Sequence, residues 1–171
     1  MPVLKHSILA GIVRLALGDQ HSVILKQNGS VWSTGYNEYG QLGDGLTCDR
    51  FNFKMVLPSD GKAVAVGNQH SLVLKQDGSV WVTGYNEYGQ LGDGWTADNR
   101  DFVKVISDGV KAVAAGGFHS MVVTQDGNIW ATGSNKFGQF GDGSLTSQKN
   151  FVTLALSGNG QHDHTCMHSS S

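Results

Sequence analysis

The strongest constraint on this chain is a period of 49 residues. Thr34–Gly45 reads TGYNEYGQLGDG, Thr83–Gly94 repeats the same letters, and Thr132–Gly143 reads TGSNKFGQFGDG. Upstream residues keep the same register: His21, His70 and His119, and likewise Trp32, Trp81 and Trp130. A period of this length marks blades or solenoid units that bury their faces against neighbouring copies. The fold is therefore expected to be a serial array of one unit.

The composition says which unit. Charged residues are 15% of the chain, well under the usual proportion of about a quarter, and there are 24 glycines. Few charges and many glycines suit short strands and tight turns better than solvent-facing helices. Net charge is −2 and the twelve Lys and Arg are scattered, so the sequence shows no basic footprint for nucleic acid. The two cysteines, Cys48 and Cys166, make no disulfide framework and fit a reducing compartment. The apolar N-terminus is interrupted by Lys5, His6 and Arg14 and reads as first-repeat strand rather than signal peptide. No apolar run reaches the length of about 18 residues that a spanning helix needs. A soluble protein, cytoplasmic or nuclear, is expected.

Each period runs in the same order. An apolar strand ends at a glycine: IVRLAL before Gly18, AVAV before Gly67, AVAA before Gly116. Alanine is a poor strand former, so these strands are expected where chains crowd toward a common axis. His-Ser and a second apolar run follow. Asn28-Gly29, Asp77-Gly78 and Asp126-Gly127 then signal hairpins in which both central residues take positive φ. The next strand is SVWSTG, SVWVTG or NIWATG, apolar on both faces and so expected to be covered on both. The glycine-studded motif, a variable connection and a last apolar run close the unit. Four short antiparallel strands per period, without a helix, describe a propeller blade.

The pattern GxxHS…DGxVWxxGxNxxGQLGDG resembles the repeats of the regulator of chromosome condensation family, whose members are typically seven-bladed β-propellers. The resemblance runs from Ile12 to about Leu156 and implies an all-β, propeller-type array of three four-stranded blades, incomplete relative to a seven-bladed ring. The expected division is one repeat domain over 1–156, with repeats at 12–57, 61–106 and 110–156, and a degenerate or disordered tail at 157–171. His168-Ser169 stands where a fourth His-Ser is due, but the preceding strand is replaced by GNGQHDHTCM. The two raw edges are expected to be completed by further blades, in cis or from another chain, or by a different protein.

Repetition separates scaffold from site, because a catalytic group is needed once and a structural group in every blade. His21, His70 and His119 are accordingly expected to make strand-start hydrogen bonds. Asp44, Asp93 and Asp142 supply one carboxylate per loop, too few for a calcium site, and are read as turn residues. The glycines lack the context of a phosphate-binding loop. His162, His164, Cys166 and His168 could ligate zinc or copper, but no second cluster supports them. No cofactor, metal or catalytic residue is expected.

Partner binding is instead expected at loop residues and where the copies differ. The candidates are Tyr36, Glu38, Tyr85, Glu87, Trp95, Phe118 and Lys136. Trp95 and Phe118 have no aromatic counterparts in the other repeats. Tyr39, Tyr88 and Phe137 are expected to pack under their own loops. The leading expectation is a non-enzymatic protein-interaction scaffold, complete in itself or a section of a larger propeller or assembly. The resemblance also implies, as an alternative, guanine-nucleotide exchange on a Ran-type small GTPase, although the wedge-like insertion of those exchange factors has no counterpart in the short connections here. A light-sensing role like that of the similar plant ultraviolet-B receptor would place tryptophan after the glycine; Asp19, Asn68 and Gly117 stand there.

Overall fold

The computed structural model describes residues 10–155, and every regular element among them is a strand. β1 (Ile12–Leu17), β2 (His21–Lys26), β3 (Val31–Gly35) and β4 (Arg50–Leu57) form the first sheet. β5 (Gly61–Val66), β6 (His70–Lys75), β7 (Val80–Gly84) and β8 (Asn99–Ile106) form the second. β9 (Val110–Ala115), β10 (His119–Thr124), β11 (Ile129–Gly133) and β12 (Gln148–Thr153) form the third. Each sheet pairs antiparallel in chain order, so sequence neighbours are ladder neighbours throughout. The expected tail at 157–171, with its four potential metal ligands, lies outside the described residues.

The first strands of the sheets are neighbours: β1 lies against β5 and β5 against β9. Their ends converge tightly. A methyl group on Gly18 would stand 2.5 Å from the Gly67 carbonyl oxygen, and one on Gly67 2.5 Å from that of Gly116. Such distances exclude any side chain, which accounts for the glycine that follows each of β1 and β5.

The core lies between sheets. Val23, Leu25 and Val31 of the first blade pack with Val73 of the second, joined by Trp81 and Phe102. Leu72, Leu74, Val80 and Val82 of the second pack with Val110 and Val122 of the third, joined by Trp130 and Phe151. The central strand β6 is consequently buried along nearly its whole length, while β1 is exposed. Apolar runs with no polar alternation follow from this two-sided cover.

The hairpins fall where expected, with a different turn. Gly29, Gly78 and Gly127 have positive φ, but Asn28, Asp77 and Asp126 do not. Gly29 N donates to Lys26 O at 2.9 Å and Lys26 N to Ser30 O at 3.0 Å. This is a three-residue loop, a type I turn closed by a left-handed glycine, rather than a two-residue primed turn. Asn28 Oδ1 accepts from Ser30 N at 3.1 Å and Ser30 Oγ at 2.7 Å, so the Asn side chain fixes the turn without entering positive φ itself.

The repeated glycine motif grips the next blade. Gly43 has φ of 69°, and a methyl group there would meet the Phe102 ring at 2.3 Å. Gly92 stands in the same relation to Phe151 at 2.5 Å. Gly141, with φ of 68°, has nothing within 4 Å among the described residues. Gly43→Ala and Gly141→Ala therefore share the left-handed cost of roughly 1–2 kcal/mol, but only the first also displaces a packed ring. Urea unfolding should show a larger loss for Gly43→Ala; equal losses would contradict the socket.

Candidate partner-binding face

The repeated histidines bind between blades. His21 Nε2 is 2.9 Å from Ser71 Oγ of the next blade, and Ser71 Oγ donates at 2.8 Å to Gln41 O of the first. His70, Ser120 and Gln90 O repeat the arrangement at 2.9 and 2.7 Å. The serine has one proton, given to the carbonyl, so the histidine donates through Nε2. That tautomer leaves Nδ1 of both His21 and His70 buried and without a partner. Burial pushes the His21 imidazole down to about 4 and, helped by neighbouring imidazoles, that of His70 down to about 3. The hydrogen bonds begin at strand starts, as expected, but their span across blades was not legible from one repeat.

The loop between the third and fourth strands is held by a buried asparagine. Asn37 Nδ2 donates to Asp44 Oδ1, Leu46 O and Cys48 O, each at 3.1 Å, and Asn37 Oδ1 accepts from Leu42 N at 3.0 Å. Asn86 does the same in the second blade. Asp44 also accepts from Arg50 Nε at 2.7 Å. Burial works to raise its pKa, but the Arg50 guanidinium and the backbone N–H of Leu46 hold it below the ordinary carboxylate range. Its oxygens are engaged by the turn. Among the described residues no group of three or more His, Cys, Asp or Glu converges as a metal site.

These loops carry most of the candidate residues to one face. Tyr36 lies 6.2 Å from Tyr39, Tyr39 is 4.9 Å from Tyr85 of the next blade, and Tyr85 is 6.3 Å from Tyr88. Phe118 of the third blade closes the run at 5.2 Å from Tyr88 and 6.0 Å from Tyr85. The tilted and edge-on geometries are those that aromatic quadrupoles favour. Lys136 Nζ sits over the Tyr88 ring at 4.8 Å. Tyr36 donates to Glu38 and Tyr85 to Glu87. The Glu38 carboxylate pushes the Tyr36 phenol up to about 12, and Glu87 raises that of Tyr85.

Six of the seven candidates, Tyr36, Glu38, Tyr85, Glu87, Phe118 and Lys136, thus share one aromatic ridge. Trp95 does not join it. It is 72% exposed and borders a separate recess with Asp93, Asn99 and Lys104. Tyr39 and Tyr88 are links in the ridge that sequence reading assigned to their own loops; each instead reaches the next blade. Phe137, which has no fourth blade beside it among the described residues, is 90% exposed. The singular Phe118, facing a tyrosine-rich predecessor, was the available signal.

Charge varies along the ridge. Glu38 and Asp49 in the first blade and Glu87 and Asp98 in the second correspond to Lys136 and Ser147 in the third. Asp49 and Asp98 accept from the backbone N–H of Asn37 and Asn86 at 2.9 and 2.8 Å. Burial and the nearby Glu87 raise Asp98, although the Asn86 N–H opposes this.

The regulator of chromosome condensation (RCC1) repeat matches residues 12–41, 62–90 and 110–139, and a second pattern of the same repeat matches 28–74 and 77–123. The chain belongs to the RCC1 repeat family. No sequence match is found among curated proteins. In structure, the chain is similar to human WBSCR16, with TM-score 0.76 and 27% identity over 86% of this chain and 40% of that one. It is also similar to Prp20p of Saccharomyces cerevisiae, described with its binding to Gsp1p and histones, with TM-score 0.74 and 23% identity over 84% of this chain and 38% of that one. Yeast RCC1 (Prp20) bound to Kap60 gives TM-score 0.70 at 23% identity over 84% and 37%. The chain therefore spans about 40% of the length of these propeller proteins, and its fold is theirs.

The buried histidines predict a pH dependence. Folding holds them neutral, whereas in the unfolded chain they ionise near 6.5, so the unfolded state binds more protons below that value. Their contribution is complete above about 6.5 and is lost as pH falls toward about 4 for His21 and about 3 for His70. At about 1.4 kcal/mol per pKa unit, each costs about 2 kcal/mol of stability at pH 5. Denaturant titrations at pH 7.5 and 5 should show that His21→Gln/His70→Gln is less stable at pH 7.5 yet loses less on acidification. Equal losses in variant and wild type would contradict the burial account.

Proposed function

We propose that this chain is a protein-interaction module that presents its aromatic ridge to a partner segment carrying basic side chains. The observation that carries this reading is the pairing of Tyr36 with Glu38 and of Tyr85 with Glu87, with the carboxylates of Asp49 and Asp98 on the same loops of the first two blades. Tyrosine faces attract Lys and Arg, and carboxylates beside them add charge-assisted hydrogen bonds. Lys136 at the third blade repels the same cations and would fix the direction in which a segment lies. The loops stand on a rigid scaffold, held by buried asparagines, and large half-buried aromatics give binding area at low entropic cost. We propose this role as a non-enzymatic one, in the cytoplasm or nucleus, where a chain with two cysteines in unrelated contexts is at home. Exchange on a Ran-type GTPase has support only in the likeness to Prp20p, which at this identity speaks for fold alone.

Titration calorimetry with a short Arg-Gly peptide and its Glu-Gly counterpart tests the reading. The basic peptide is expected to bind and the acidic one not. Glu38→Lys/Glu87→Lys should weaken binding at least tenfold, about 1.4 kcal/mol, while Trp95→Ala leaves it unchanged. Binding that ignores the charge reversal, or that follows Trp95, would overturn it.

A further inference from the structure

The joint between blades is built twice inside the chain, and both of its halves are present again at the two ends. Between the first and second blades, five contacts recur in the second and third. His21 meets Ser71, and Ser71 meets Gln41 O. Thr83 Oγ1 lies 2.8 Å from Gly40 O. Gly45 N donates to Arg100 O at 3.0 Å, and the Phe102 ring covers Gly43. Tyr39 also packs on Tyr85, a sixth contact without an aromatic counterpart in the third blade, where Ser134 stands in place of the tyrosine. Counting forward by 49, the giving half at the third blade is His119, Gly138, Gly141, Gly143 and Phe137. The receiving half at the first blade is Ser22, Thr34, Phe51, Phe53 and Tyr36.

Both halves stand open among the described residues. Gly141 and Gly143 have nothing within 4 Å, where Gly43 and Gly45 meet Phe102 and Asp101. Phe137 is 90% and Phe51 94% exposed, and Leu15 and Leu17 of the first inner strand are 60% and 65% exposed. Gly141 keeps φ of 68°, matching 69° at Gly43 and 72° at Gly92, so the socket holds its shape without a ring in it.

We propose that a second copy of this chain docks head to tail, its first blade against the third blade of the other. Phe53 of the second copy then enters the socket at Gly141, its Ser22 hydroxyl bridges His119 and Gln139 O, and its Tyr36 extends the aromatic ridge beyond Phe137. The occupant follows from the residues themselves: the first blade carries the same plug that fills the two internal sockets. Such an interface is heterologous, so each docked copy offers a fresh edge and association continues beyond two copies unless the rotation closes a ring.

Sedimentation of the 171-residue chain over a wide concentration range reads this directly. The mass is expected to rise above 18.2 kDa with concentration. A constant 18.2 kDa at every concentration would overturn the proposal and assign both edges to some other cover. Phe53→Asp removes the plug and Phe137→Asp damages the socket side, so each alone should remain monomeric. Mixed, one contributes the intact socket and the other the intact plug, and a dimer that grows no further should form. Variants that assemble like wild type, or a mixture that stays monomeric while each partner melts cooperatively, would also overturn it. A variant that does not melt cooperatively leaves the wild-type mass to decide.

Discussion

The fold depends on a hydroxyl shared between two blades. Ser71 accepts from His21 and donates to Gln41 O, and Ser120 does the same between His70 and Gln90 O. Each serine is thus bound on both sides by the preceding blade, which fixes the spacing and register of one sheet on the next. Because these groups are fully or nearly fully buried, leaving one without its partner costs more than the bond itself contributes. Val73 packs on Val23, and Phe102 on Gly43, across the same joint that this link spans.

The same constraint explains where the chain can vary. Residues that make the joint between blades, such as His70, Thr83 and the socket glycines, recur unchanged. Residues at the loop tips touch nothing essential to the joint, and there Glu38 and Glu87 give way to Lys136. The ridge lies between these classes. Its rings cross from blade to blade, as Tyr39 does to Tyr85, yet their edges stay half-exposed for contact. Structural repetition and surface individuality are therefore carried by neighbouring residues of one motif.

Much of this was legible in the sequence, and for a physical reason. The 49-residue period, apolar runs without alternation and paired turn signals each reflect strictly local rules, and they locate the first three strands of every blade; the fourth begins earlier than its apolar run, at Arg50, Asn99 and Gln148, inside what reads as a variable connection. What local rules could not supply is contact across a period. His21 pointed to a strand start, but nothing near it in sequence named Ser71 as its mate. Tyr39 has a loop of its own to cover, so its reach to Tyr85 was hidden until the blades were set side by side. The hairpin turn shows the converse: the Asn-Gly pair suited a primed turn, and it was the side chain of Asn28 reaching Ser30 that selected the three-residue loop. Trp95 was conspicuous as a lone aromatic and lies away from the ridge, because singularity in sequence carries no information about position.

The central claim is that the histidine–serine link joins blades rather than ordering a strand within one. A double-mutant cycle on His70→Ala and Ser120→Ala, read by chemical denaturation at pH 7.5, tests it most directly. The two substitutions should be strongly non-additive, with a coupling of about 1–2 kcal/mol, because removing either partner already strands the other. Additive losses would mean that His70 acts within its own blade, and the account of how these blades are held together would fail.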